Sequence, residues 1–286
     1  FLVIAVASLI SCSEKTKVNS DIEKVPVEMS LQRFDKEFME TPLADFQNLK
    51  KKFPFLLPGN VADETWMEKR NDTLFKEVYS EVQLSFKDTK QLENNLKSLF
   101  QHIKYYFPEQ NPGKVITLIS DMDLEAKTIY TDSLTIISLD TYLGKNHRFY
   151  QGFEPYALID FEPSNIVPDL AEAFAVTKIQ FPRDRQLLSQ MIYFGKLMYA
   201  KDVLIPETPD NEKIGYSVDK LKWCEENESQ MWKYFIENKL LFSSESKLYG
   251  RFIQKAPFSK FYLDLDNETP GRAGVWVGWQ IVRSYM

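Results

Sequence analysis

The hydrophobic period of this chain switches from helical to strand spacing and back, and that switch limits the folds open to it. Lys114-Val115-Ile116-Thr117-Leu118-Ile119 and Leu134-Thr135-Ile136-Ile137-Ser138-Leu139 are β-branched runs of strand length. Lys127-Thr128-Ile129-Tyr130 between them is a third, shorter strand, with Thr131-Asp132-Ser133 as its turn. On either side the apolar residues recur at three and four. Leu92, Leu96, Leu99, Phe100, Ile103 and Phe107 hold a 3.6 period in a helix predicted over 88–107 and capped by Asp88. Similar spacing predicts helices over 30–39 (Leu31, Phe34, Phe38, with Ser30 as a partial cap), 63–82, from 165, 184–200 and 218–241. Between the first two, Phe53-Pro54-Phe55-Leu56-Leu57-Pro58 has prolines bracketing apolar residues, which makes it a packed loop. The fold class is therefore α+β: a mostly helical single domain with a small, mainly antiparallel sheet.

Composition narrows the function classes. A chain of 286 residues holds one large domain or two small ones, and no internal repeat or linker divides this one, so residues 30–286 read as a single domain. Twenty-one Phe, fourteen Tyr and five Trp predict an aromatic core. The net charge is −6 and the 35 Lys and Arg form no basic block, which excludes a nucleic-acid partner of the usual kind.

The first ten residues, Phe1 to Ile10, are apolar but too few to span a bilayer, which takes roughly 20. They read as the hydrophobic region of a secretory signal, clipped at its start because no methionine or basic segment precedes Phe1. Leu9-Ile10-Ser11-Cys12 is similar to a bacterial lipobox, which implies that Cys12 is diacylated and anchors the chain in a membrane. Residues 1–12 are thus a signal segment and 13–29 a polar tether. With Cys12 lipidated, Cys224 has no partner for an internal disulfide, and its place in Trp223-Cys224-Glu225 reads as a small buried hydrophobe.

Spacing alone offers no active site. His102 and His147 lie on different predicted elements and neither belongs to an HExxH pair, so no zinc ligand set is visible. Asp121, Asp123 and Glu125 lack the glycine of a calcium loop. Gly271, Gly274 and Gly278 follow no strand and make no dinucleotide fingerprint. No cofactor is expected, and Trp276 and Trp279 read as core or interface anchors.

Several stretches together resemble the GldB family of gliding-motility lipoproteins of Bacteroidetes: Arg33-Phe34-Asp35, the proline-bracketed loop, Leu139-Asp140-Thr141-Tyr142-Leu143-Gly144, Met191-Ile192-Tyr193-Phe194-Gly195-Lys196 and Gly271 to Met286. The resemblance implies a lipid-anchored cell-envelope protein facing the periplasm, in the outer rather than the inner membrane. Its implied partners are proteins of the gliding and type IX secretion machinery. A second resemblance, in the order of sheet, edge strand and helices, is to zinc metallopeptidases (zincin-like). In that layout the three metal-ligand slots fall on Pro168, Glu172 and Phe194, with Asp169 at the general-base position. That implies a scaffold whose metal site is lost and which binds partners without catalysis. The alternative is an envelope hydrolase using Asp169 and Glu172 as a carboxylate pair, three apart on one helix.

Overall fold

The computed structural model describes residues 20–110, 114–264 and 266–286. The signal segment 1–12 with Cys12, and residues 13–19 of the tether, lie outside the described residues. The rest of the expected tether is not free of the domain: Ile22 is only 2% exposed, and Val27 and Met29 pack on the main core.

Four strands form the sheet: β1 Leu31–Arg33, β2 Lys114–Leu118, β3 Thr128–Tyr130 and β4 Leu134–Ser138, in the order β1-β2-β4-β3. The expectation of a mainly antiparallel sheet is wrong. β1 pairs with β2 and β2 with β4 in parallel; only the β3–β4 hairpin is antiparallel. The hairpin is local and therefore readable from its turn, whereas parallel partners need long crossovers that leave no local trace. β1 itself replaces the start of the helix expected over 30–39; the helix proper, α1, is Phe34–Glu40. Arg33 and Asp35 explain the switch. Arg33 grips Asp35 through Nε at 3.0 Å and Nη2 at 2.8 Å, and its Nη1 donates to the Phe86 carbonyl at 2.9 Å. Thr117 of β2 and Gln83 also donate to Asp35, so the two-residue clasp ties β1 and α1 to the rest of the domain.

Helices α2 Phe46–Lys52, α3 Asp63–Asn71, α4 Thr73–Ser85 and α5 Lys90–Tyr106 fill the crossover from β1 to β2. What read as one helix over 63–82 is two, because the Asp72 carboxylate accepts the Phe75 N–H at 2.7 Å and starts α4 afresh. After the sheet come α6 Pro155–Leu158, α7 Ile166–Lys178, α8 Leu187–Leu204, α9 Asp210–Ile214, α10 Val218–Glu237, α11 Lys247–Phe252 and α12 Ala273–Tyr285.

Two large apolar cores result, beside a small cluster of Ala175, Tyr193 and Leu197 among the described residues. One surrounds the sheet; the other lies among α8, α10, α11 and α12, and includes Cys224, Trp276 and Trp279. Burial raises the Cys224 thiol pKa, in keeping with its reading as a small hydrophobe. α8 reaches both cores, placing Leu204 in the first and Leu187, Met191 and Met198 in the second. Its contact with α12 is the most extensive between any two elements described. The helices meet backbone to backbone. A Cβ on Gly278 would stand 1.9 Å from the Met191 carbonyl oxygen, and one on Gly195 2.2 Å from that of Gly278.

Alanine is intrinsically favoured over glycine in a helix by about 0.8–1 kcal/mol. Packing reverses that preference here, so Gly278→Ala should destabilise the protein by about 3 kcal/mol, at the upper end of the overpacking range. Gly59→Ala, where a Cβ meets nothing within 4 Å, should change stability by less than about 0.5 kcal/mol. Urea midpoints of the two variants against the parent chain check both values.

Candidate functional site

The helices singled out by the metallopeptidase layout lie side by side, with α7 also resting on edge strand β3. Pro168 sits in the first turn of α7, where its missing N–H breaks no helical bond, and is buried in a wall shared with Leu99, Ile205 and Pro206. Phe194 of α8 belongs to an aromatic row. Ring centroids are 4.8 Å apart for Phe181 and Tyr193, 5.1 Å for Tyr193 and Phe194, and 6.3 Å for Phe194 and Tyr249.

Of the three slots only Glu172 carries a ligating atom, and a cation of the protein already holds it. Its Oε2 lies 2.6 Å from Lys201 Nζ. Lys201 is buried in α8 and also donates to the Lys213 carbonyl at 2.9 Å. Burial alone would raise the Glu172 pKa. Lys201, Arg272 and Lys255 together outweigh it and hold the carboxyl at about 2. Glu172 is therefore a fixed anion at neutral pH.

Asp169 faces different partners. Its Oδ2 accepts from Lys127 Nζ and from the Tyr142 hydroxyl, each at 2.8 Å. The Lys127 ammonium lies 4.4 Å from the centre of the Tyr142 ring, a cation–π contact that completes this second pair. Tyr142 is buried; burial first and Asp169 second raise its pKa far above ordinary, so it remains a donor. The two carboxylates are thus one turn apart but bonded to separate cations and not to each other. General acid work needs a carboxyl held high, and Glu172 is held low.

The two histidines lie apart from these groups. His102 Nδ1 is 2.9 Å from the Ser98 carbonyl within α5, and His147 Nε2 is 3.4 Å from Glu81. Among the described residues no three His, Cys, Asp or Glu side chains converge to hold a metal ion. Pro168, Glu172 and Phe194 do not fit a zinc site, and no chemical step is assigned to one.

Beside α12 opens a cleft of about 350 Å³ between the segments around 155–160, 214–220, 255–257 and 270–272. Three of its lining residues are cations, Lys220, Lys255 and Arg272, and one is a carboxylate, Asp160. Arg272 and Lys255 also bear on Glu172, so cleft and carboxylate belong to one electrostatic neighbourhood.

Sequence reasoning brought forward Asp169 and Glu172 but missed the cations that define them. Lys201-Asp202 had a readable signal, since Met191, Gly195, Met198 and Asp202 continue one inward stripe of α8 at helical spacing. Lys127, Lys255 and Arg272 come from distant segments and had none.

The family model for gliding motility protein GldB matches residues 15–286, and the chain belongs to that family. No curated protein and no solved structure matches it. Membership links the chain to gliding motility, and the lipoprotein character of the family is in keeping with a lipid-anchored envelope protein. Among the described residues no helix is long and apolar enough to cross a membrane.

Glu172→Gln leaves the Lys201 ammonium buried without its counter-charge. Breaking a fully buried pair costs about 3–5 kcal/mol; with Glu172 one-third exposed, about 2 kcal/mol is expected at pH 7. Adding Lys201→Met should restore most of it. Because the folded pKa is depressed from 4.5 to about 2, the advantage of Glu172 over Gln is complete above the unfolded value and should vanish as pH falls across that interval. Denaturation midpoints of the three proteins between pH 7 and pH 2 test the sign.

Proposed function

We propose that this protein is a non-catalytic, lipid-anchored component of the gliding machinery, held in the envelope through Cys12. Its folded domain faces the periplasm, with the anchor in the outer rather than the inner membrane. Its role is to bind proteins of the gliding and type IX secretion apparatus through the cleft and the aromatic row next to Glu172. The observation that carries this reading is the Lys201–Glu172 pair. A buried ammonium stands 2.6 Å from the one ligating side chain among Pro168, Glu172 and Phe194. The low pKa of Glu172 argues in the same direction, against a hydrolase built on Asp169 and Glu172. Membership of a gliding-motility family supplies the process.

Complementation of a strain lacking the gene separates the two roles. Cys12→Ser should remove the protein from the outer-membrane fraction and abolish gliding. Asp169→Asn keeps an acceptor for the Tyr142 hydroxyl but removes any acid–base capacity, and should glide like the parent strain. Loss of gliding in Asp169→Asn at a normal protein level would reject the non-catalytic reading, as would stoichiometric zinc in the purified protein.

A further inference from the structure

The cleft beside α12 has a sharper chemical character than a general docking surface. Its three cations differ in how far their donors are used. Lys220 Nζ donates to the carbonyls of Glu268 and Thr269, each at 2.8 Å, so its hydrogens are committed to the loop although its charge is not cancelled. Lys255 pairs with Asp160 on the rim. Among the described residues Arg272 makes a single hydrogen bond, from Nη1 to the Ile214 carbonyl at 3.3 Å, and no ion pair within 4.0 Å. Most of its five donors therefore remain available. Three cations line the cleft against Asp160, with Glu172 close enough to feel Arg272 and Lys255, so the local balance stays positive in a chain of net charge −6 and draws anions to this place.

The backbone at Arg272 is itself unusual. It has φ 60° and ψ 27°, the left-handed region that favours glycine, at the residue that caps α12. The preceding Gly271 is pressed so close to Ala256 that a Cβ would stand 2.0 Å from its carbonyl oxygen. The chain must turn sharply into α12 here, and a glycine at 272 would make that turn without strain. An arginine stands there instead, and it lines the cleft. Strained positions of this kind collect at ligand clamps.

We infer that the cleft receives the C-terminal carboxylate of a partner polypeptide, bound by the Arg272 guanidinium with Lys255 as the supporting cation. The planar fork of arginine matches a carboxylate through two parallel hydrogen bonds, as a lysine cannot. The remaining walls favour a peptide end over a bare inorganic anion. Tyr156, Ile159, Pro257 and Pro270 offer apolar and ring surface to the last side chains. A volume of about 350 Å³ is at the small end for ligand pockets and suits the tip of a chain. Capture of a terminal carboxylate is one of the recurring modes of peptide recognition. This inference rests on the partner-binding role proposed above and names the feature of the partner that is recognised.

The test is saturation-transfer NMR on the full chain in detergent. It uses two acetylated tripeptide mixtures of identical composition, one with free C-terminal carboxylates and one amidated. The free acids should show transfer and the amides at least tenfold less. Arg272→Gly should remove the acid signal with only a small shift of the thermal midpoint, because relief of the left-handed backbone offsets the lost attraction to Glu172. That combination separates loss of a ligand group from loss of fold. Lys255→Gln should weaken binding by a smaller factor. Equal transfer from acids and amides overturns the inference, as does no transfer from either, or full displacement of the acids by an equal concentration of inorganic phosphate. Crosslinking in the envelope separates its failure from failure of the underlying role. Partner crosslinks that persist in Arg272→Gly, with no tripeptide binding, remove the carboxylate claim and leave the scaffold role standing. Absence of partner crosslinks in the parent strain removes the scaffold role itself.

Discussion

Two helix backbones meet with no side chain between them, and the placement of Asp202 depends on it. Packed helices are ordinarily held 8–10 Å apart by the side chains between them. At the crossing of α8 and α12, Gly195 and Gly278 supply none, and each helix lies against the other's carbonyls. Two turns beyond Gly195, Asp202 is thereby brought within reach of α12. It accepts from Trp279 Nε1 at 2.8 Å and from Arg283 Nε at 2.7 Å. Its neighbour Lys201 is turned by the same helical phase toward α7 and meets Glu172. A wider crossing would loosen both Asp202 bonds together. The terminal glycines therefore do their work in packing, with Gly271 and Gly274 pressed on Ala256 and Phe252 in the same way.

Around that crossing the charges balance. Lys201, Lys213 and Arg283 face Glu172, Asp202 and Asp210, and Lys213 and Arg283 each touch both aspartates. Burial pulls the Arg283 pKa down, but the two aspartates prevail and raise it; the same contacts hold Asp210 low against its own burial. Such a network adds little net stability over apolar residues of equal volume, because desolvation consumes most of the Coulomb gain. Its effect is directional. An apolar face lets α8 slide or rotate at small cost, whereas displaced ion pairs would leave charges unpaired in the core. The network thus fixes the register of α8 against α9 and α12, and with it the positions of Lys201 and Arg272.

What could be read from sequence follows from how local each cause is. The 3.6 period of α5 and the β3–β4 hairpin are set by neighbours within a few residues, and both were legible. The parallel pairings of β1 with β2 and of β2 with β4 are not local, so the sheet was read with the wrong sense. The break at Asp72 was missed because apolar spacing runs through it, while the cap that starts α4 is a single hydrogen bond. The family motifs were visible as strings but not as mechanisms. Arg33 and Asp35 form one clasp, and Tyr142 belongs with Asp169 across 27 residues. The site suffered most, since Asp169 and Glu172 were visible on one helix while the lysines that separate their roles lie on other elements.

The Lys201–Glu172 pair also bears on how this layout relates to a metal-binding one. A carboxylate in the wall between two helices needs a positive charge beside it, or it protonates or is lost. A metal ion supplies that charge in a zinc site, and Lys201 supplies it here. The two solutions exclude each other. An ammonium 2.6 Å from the carboxylate and a dication on the same oxygen would repel strongly in a poorly screened interior. Ligands introduced at 168 and 194 would therefore not complete a zinc site with Glu172 while Lys201 remains. With a lysine in the electrostatic place a metal would take, the carboxylate is stable without one. Pro168 and Phe194 both serve packing. The cleft near Glu172 holds Arg272, whose planar guanidinium is suited to a carboxylate.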